Sequence, residues 1–276
     1  MRGHFGVSER RACRVVGQPR ATQRRRPAAR PDEGPLVRRI LELVRRHPRY
    51  GYRRIWALLR AEGWRVNRKR VHRLWRRQGL KVPQKRRKKR RLGSSANGCA
   101  RRRAEHRDHV WAWDFIHDRT ADGKALKWLS VVDEYTRECL VLEVRRGLTA
   151  AAVVAVLAAL VRRRGAPRHV RSDNGPEFIA KAIRAWLARE AVGPLYIAPG
   201  APWENGYAES FHSRLRDELL DAEEFGTLLE ARVLAQQWQE EYNHERPHSA
   251  LGYRPPAAFA ADATVPIDPT LIAAGT

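Results

Sequence analysis

The chain has 276 residues with 55 Lys and Arg against 30 Asp and Glu, a net charge of +25, and that length suits a catalytic-size domain with a smaller companion. Residues 1–108 hold 36 basic against 7 acidic side chains and residues 109–276 hold 19 against 23, so the first half attracts a polyanion, with nucleic acid favoured over an anionic membrane surface. No apolar run reaches the length of a membrane span, MRGHFGVSER lacks a signal segment, and Cys13, Cys99 and Cys139 are odd in number and far apart, which together predict a cytoplasmic protein without a disulfide framework.

In chain order, residues 8–26 predict a short helix capped by Ser8, a break at Gly17-Gln18-Pro19 and a second basic helix. Residues 1–34 are read as a basic arm, either part of a further helix-turn-helix or a frayed segment, with Pro- and Gly-punctuated residues 27–34 as linker. Three helices with apolar i, i+3, i+4 stripes then span residues 35–80, built on Leu36, Ile40, Leu41 and Val44, on Ile55, Leu58 and Leu59, and on Val71, Leu74 and Trp75. Asn67 is placed to cap the third, and the pattern predicts a helix-turn-helix. Lys69, Arg70, Arg73, Arg76 and Arg77 are read as lying off the apolar stripe, where a recognition helix presents them to the major groove and flanking phosphates; the alternative is a basic solvated face. Residues 81–107, with KRRKKRR and RRR around LGSSANG, hold too few apolar groups for a core and predict a basic linker.

From residue 109 the period changes to that of strands. HVWAWDFIH, ALKWLSVVDEY and ECLVLEVRR predict an antiparallel meander with a turn at Asp122-Gly123. A helix from Thr149 to Arg164, a strand ending at Asp173, a helix from Pro176 to about Ala191, a strand at LYIA and a helix carrying Glu209 follow. Strands and then alternation give an α/β fold, a mixed sheet flanked by helices over residues 108–226 and preceded by the all-α helix-turn-helix. Residues 227–276 form a C-terminal helix and tail, with Leu228, Leu229, Val233, Trp238 and Tyr242 expected to pack on the core.

Three acids stand out: Asp114 inside the first strand, Asp173 in RSDNGPEF at a strand end, and Glu209 on a helix in WENGYAESF. Clustered carboxylates resist ionising together unless divalent cations compensate them. Mg²⁺ suits such oxygen ligands, and two ions about 3.5–4 Å apart activate the attacking oxygen and stabilise the leaving one. Mn²⁺ is the expected substitute. The residues alone thus predict a metal-dependent phosphodiester site. Glu204 lies nearer the helix start, where its carboxylate serves the exposed N–H groups and the dipole. Arg216 stands two turns after Glu209, on the same face. It is placed either to hold a DNA phosphate or to pair along the helix with Asp217 or Glu218. Trp203 and Tyr207 are read as base-stacking or core residues, and all ten histidines as surface or core.

WAWDF, SDNGPEF and ENGYAESFHSRLRDE, with Arg216 seven positions beyond the glutamate, resemble the DDE transposases of bacterial insertion sequences, in the retroviral-integrase superfamily with its ribonuclease-H-like fold. Residues 35–90 are similar to the family's helix-turn-helix and YNHERPHSALGYRPP to its C-terminal end; more narrowly, the chain resembles the second-frame product of two-frame elements. The resemblance implies that the first and fourth strands lie side by side, bringing Asp114 next to Asp173, and that a freed 3′-hydroxyl joins element ends to target DNA. It also implies a homo-oligomer on DNA and a first-frame partner protein. The His/Cys zinc module of retroviral integrases has no counterpart in this sequence. The second reading is a DNA-binding regulator or incomplete transposase subunit without joining activity.

Overall fold

The computed structural model describes residues 6–25, 30–82, 103–172, 180–196 and 206–263. Two compact units divide the chain, one ending at His47 and one starting at Pro48, so the boundary falls after the first helix of the expected helix-turn-helix.

The first unit holds α1 (Glu9–Val15), α2 (Arg20–Arg24) and α3 (Glu33–Arg46). Ser8 caps α1 by accepting the Arg11 N–H at 3.3 Å. Glu9, in the first turn where the helix dipole favours an anion, accepts from Arg24 Nε at 2.7 Å and ties α2 back to α1. α3 begins two residues inside the expected linker and buries Leu36, Ile40 and Leu43, whose i, i+4, i+7 spacing makes one face. Leu41 and Val44, each one position past that stripe, are only half-buried.

The second unit opens with α4 (Tyr52–Ala61) and α5 (Arg68–Arg77). Asn67 Oδ1 accepts the Arg70 N–H at 2.8 Å and caps α5. The Trp56 indole donates to the Val66 carbonyl at 2.9 Å, and Tyr52 stacks on His72 with ring centroids 4.3 Å apart, which locks α5 against α4. α5 buries Val71, Leu74, Trp75 and also Arg70. Arg70 therefore departs from its expected solvent-facing place: it sits four positions before Leu74, hence on the same face one turn earlier. Lys69, Arg73, Arg76 and Arg77 are exposed as the sequence predicts.

The rest of this unit runs β1 (Val110–Arg119), β2 (Ala125–Asp133), β3 (Cys139–Arg145), α6 (Ala150–Arg164), β4 (His169–Ser172), α7 (Lys181–Arg189) and β5 (Gly193–Tyr196), then α8 (Gly206–Leu215), a π-helical turn (Arg216–Leu220), α9 (Leu228–His244) and α10 (Pro256–Asp262). The strands make a five-stranded sheet in the order β3-β2-β1-β4-β5, antiparallel through the meander and parallel from β1 to β4 to β5. Side chains alternate across it. Trp111 and Trp113 point into a cluster with Leu157 and Leu160 of α6 and Ile183 and Trp186 of α7. Ile116 and Trp128 point the other way, to Phe211 and Leu215 of α8 and Trp238 and Tyr242 of α9.

Two expectations change. Ala180 has extended backbone and stands at the N-cap of α7, so this helix starts at Lys181 rather than running from Pro176, which lies outside the described residues. On α9 the buried stripe is Ala231, Ala235, Trp238 and Tyr242, whereas Leu229 and Val233 are 71% and 46% exposed. Each stands two positions from a stripe residue, about 200° around the helix, and so faces solvent.

β3 is an edge strand, and four side chains reach its backbone at Cys139, Leu140 and Val144. Asn243 accepts the Cys139 N–H at 2.9 Å and, with Gln239, donates to the Cys139 carbonyl. Arg163 reaches the Leu140 carbonyl at 3.5 Å and Arg232 the Val144 carbonyl at 2.9 Å.

Candidate catalytic site

Asp114 stands midway along β1, the central strand, on the face that α8 covers. Its Oδ1 accepts the Phe115 N–H at 2.7 Å, and its side chain keeps 22% of its surface open. Directly across on β2 is Ser130. The buried Ser130 Oγ lies 3.2 Å from the Asp114 carbonyl and 2.8 Å from Nε2 of His212 on α8. The other ring nitrogen, Nδ1, lies 3.5 Å from Asp114 Oδ2. Burial, and then the nearby Arg216 charge, push the His212 pKa down to about 4, so at neutral pH the imidazole is uncharged and its contact with Asp114 is polar rather than ionic.

α8 carries Glu209 on its exposed side while Ala208, Phe211 and Leu215 fill the core. Its first turn is held by Tyr207, whose ring lies 3.7 Å below the Arg137 guanidinium, and Arg137 projects from the β2–β3 turn with φ at 66°. Tyr207 is half-buried in this contact. The turn is organised by the buried Asp133 carboxylate, which accepts N–H bonds from Asp108, Tyr135 and Thr136. Burial raises the Asp133 pKa to about 6 against those hydrogen bonds.

The end of β4 is fixed by a buried ion pair, Arg171 Nε to Glu134 Oε1 at 2.7 Å. Ser172 closes the strand; Asp173, next in sequence, lies outside the described residues, as do Trp203 and Glu204. The structure thus brings α8, with Glu209, onto the strand of Asp114. Among the described residues no group of three His, Cys, Asp or Glu side chains is close enough to hold a metal ion.

Arg216 is exposed at the start of the π-helical turn. Its expected helix partners are taken elsewhere: Asp217 pairs with Arg49, and Glu218 accepts from Arg54 at 3.0 Å and from Arg246 at 2.7 Å twice. The wider π turn places this acidic pair against the arginines flanking the start of α4. His212, Ser130 and the Glu218 hub were not singled out by sequence reasoning. The first two carried a signal in the register of the meander and in the three-residue step from Glu209.

A mixed sheet with parallel β1 and β4, helices on both faces and an acid midway along β1 is the ribonuclease-H-like fold of integrase catalytic cores. The integrase core domain family matches residues 104–202 and, in a second form, residues 190–256. An HTH-like domain family matches residues 31–88. The insertion element IS476 uncharacterized 39.2 kDa protein of Xanthomonas euvesicatoria is 41% identical over 94% of this chain and 74% of its own length. A transposase, InsD for insertion element IS2, of Escherichia coli is 30% identical over 83% of this chain and 79% of its own. In three dimensions the chain is similar to a subunit of the simian T-cell lymphotropic virus intasome, with TM-score 0.52 at 16% identity, over 61% of this chain and 59% of that one. The chain belongs to the insertion-element transposases that carry an integrase core domain. No helix among the described residues is long and apolar enough to cross a membrane.

Proposed function

We propose that the protein is a DNA transposase that cleaves the ends of its element and joins them to target DNA, with Asp114, Asp173 and Glu209 as the catalytic and metal-binding acids. The observation that carries this is the placement of Asp114: a partly open carboxylate on the central strand, beneath the helix that holds Glu209. Sequence spacing supports Asp173, since it follows Asp114 by the same interval that separates Val110 from its partner His169.

Carboxylate oxygens that reach solvent at Asp114 and Glu209 fit a hard divalent cation, Mg²⁺ first, with Mn²⁺ substituting. When bound, two such ions supply Lewis-acid polarisation of the phosphodiester and activation of the attacking oxygen. The chain's own residues do the rest. Arg216, exposed in the π-helical turn that follows α8, meets a phosphate of the DNA. Lys69, Arg73, Arg76 and Arg77, exposed on α5, meet the element end; Arg70 is withdrawn from that set by its burial. Residues 35–80 are the DNA-binding part, 81–107 the basic linker and 108–226 the catalytic core. The protein works as a homo-oligomer on DNA in a bacterial cytoplasm, with a first-frame partner where the element encodes one.

The test is cleavage and joining of DNA that flanks the gene. Asp114→Asn, Asp173→Asn and Glu209→Gln are expected to lose both reactions and keep DNA binding, while Glu204→Gln keeps measurable chemistry. Robust joining by any of the first three removes that acid from the site. DNA binding without cleavage by the parent protein, in Mg²⁺ and in Mn²⁺, favours the regulator instead.

A further inference from the structure

We infer that His212 is the positioning residue of the catalytic centre: it holds the Asp114 carboxylate in its metal-binding orientation, and Ser130 fixes the imidazole for that task. This rests on the reading of Asp114 as a metal ligand. A closed ring joins the three residues: Ser130 Oγ to His212 Nε2 at 2.8 Å, His212 Nδ1 to Asp114 Oδ2 at 3.5 Å, and Ser130 Oγ to the Asp114 carbonyl at 3.2 Å.

Ser130 has one proton to give. It can go to the Asp114 carbonyl at 3.2 Å or to His212 Nε2 at 2.8 Å, and the ring face toward Asp114 decides: a lone pair on Nδ1 would oppose the carboxylate oxygen 3.5 Å away, so the tautomer that suits this site carries its proton on Nδ1 and accepts the Ser130 O–H at Nε2. An N–H donor behind a ligating carboxylate is the arrangement by which outer residues fix a ligand's direction. Ser130 is 1% exposed and directly opposite Asp114 in the β1–β2 register, so its hydroxyl is a fixed reference within the sheet. His212 stands three residues after Glu209 on α8, so one helix delivers both an acid and the side chain that aims the acid of the neighbouring strand. The 3.5 Å separation is long for a hydrogen bond, and a cation drawing on Asp114 leaves the imidazole as the stop that limits how far the carboxylate swings.

The test is Mn²⁺ binding to the full chain, followed by the loss of the free-ion electron paramagnetic resonance signal, which needs no turnover. His212→Phe, which keeps the ring volume and lacks the donor, is expected to weaken Mn²⁺ binding by roughly 10- to 100-fold, with an unchanged circular dichroism spectrum. Ser130→Ala weakens it less, and His212→Asn, which restores a donor, recovers part of the loss. Parent-like Mn²⁺ binding by His212→Phe, beside a loss in Asp114→Asn, overturns the positioning role alone. Unchanged binding in Asp114→Asn overturns the ligand assignment beneath it.

Discussion

Glu218 is an acid whose loss has a calculable consequence for stability. Its side chain is 7% exposed and receives both arms of Arg246, itself 2% exposed, as well as Arg54. Removing one partner of such a pair leaves the other charge buried without compensation, at about 3–5 kcal/mol. The Arg246 guanidinium also lies 5.3 Å from the Tyr242 ring, an attraction worth about 1 kcal/mol that survives the change. Glu218→Ala is therefore expected to lower unfolding stability by about 3 kcal/mol or more, read from urea titrations followed by tryptophan fluorescence. Arg54→Met should cost less, because Arg54 keeps 20% of its side chain open. Replacing the pair with apolar groups, Glu218→Leu with Arg246→Met, should recover most of the loss. A cost below about 1 kcal/mol for Glu218→Ala, or single effects that simply add in the double variant, would refute the hub.

In metal-free buffer, stability should fall as the pH is lowered from 7.5 to 5. Burial holds His212 at about 4 and His248 at about 3 against an ordinary 6.5, so the unfolded chain takes up protons first and each histidine removes about 2 kcal/mol. Asp133 works in the opposite sense: raised to about 6 from 3.8, it returns about 1.4 kcal/mol over the same interval. The net expected loss is about 2.5 kcal/mol, and equal urea midpoints at the two pH values would contradict it. On DNA, Lys69→Ala with Arg76→Ala should reduce the slope of log affinity against log salt by about 0.9 for each phosphate no longer neutralised. Arg70→Ala should lower the melting temperature and leave that slope nearly intact; a slope indifferent to Lys69 and Arg76 removes α5 from the DNA.

The meander was legible because alternation is a local signal: Trp111, Ala112, Trp113 and Asp114 already state which positions share a face. The caps at Ser8 and Asn67 were legible for the same reason, each hydroxyl or amide accepting the N–H three residues on. Arg70 was misplaced because its charge outweighed its spacing from Leu74. The start of α7 was misplaced because Pro176 is a helix-opening residue by type, while the chain opens the helix only after Ala180. The π turn after Leu215 has no propensity signature. It is set by what Asp217 and Glu218 must reach, and those partners lie more than 160 residues upstream in Arg49 and Arg54. His212 went unread for a related reason: its meaning depends on Ser130, which becomes its neighbour only once α8 lies across the sheet.

The covered edge of β3 bears on how this protein can be cut. An open edge strand invites further strands to pair with it, which is a route to aggregation. Here three of the four capping side chains, Arg232, Gln239 and Asn243, come from α9, together with Trp238 and Tyr242 that close the core beneath. A catalytic fragment ended at residue 226 would strip all of them from Cys139 and Val144, leaving only Arg163 on that edge, beside an uncovered apolar layer. Such a fragment should precipitate or form fibrils on concentration, whereas one carried through α10 keeps its rim occupied.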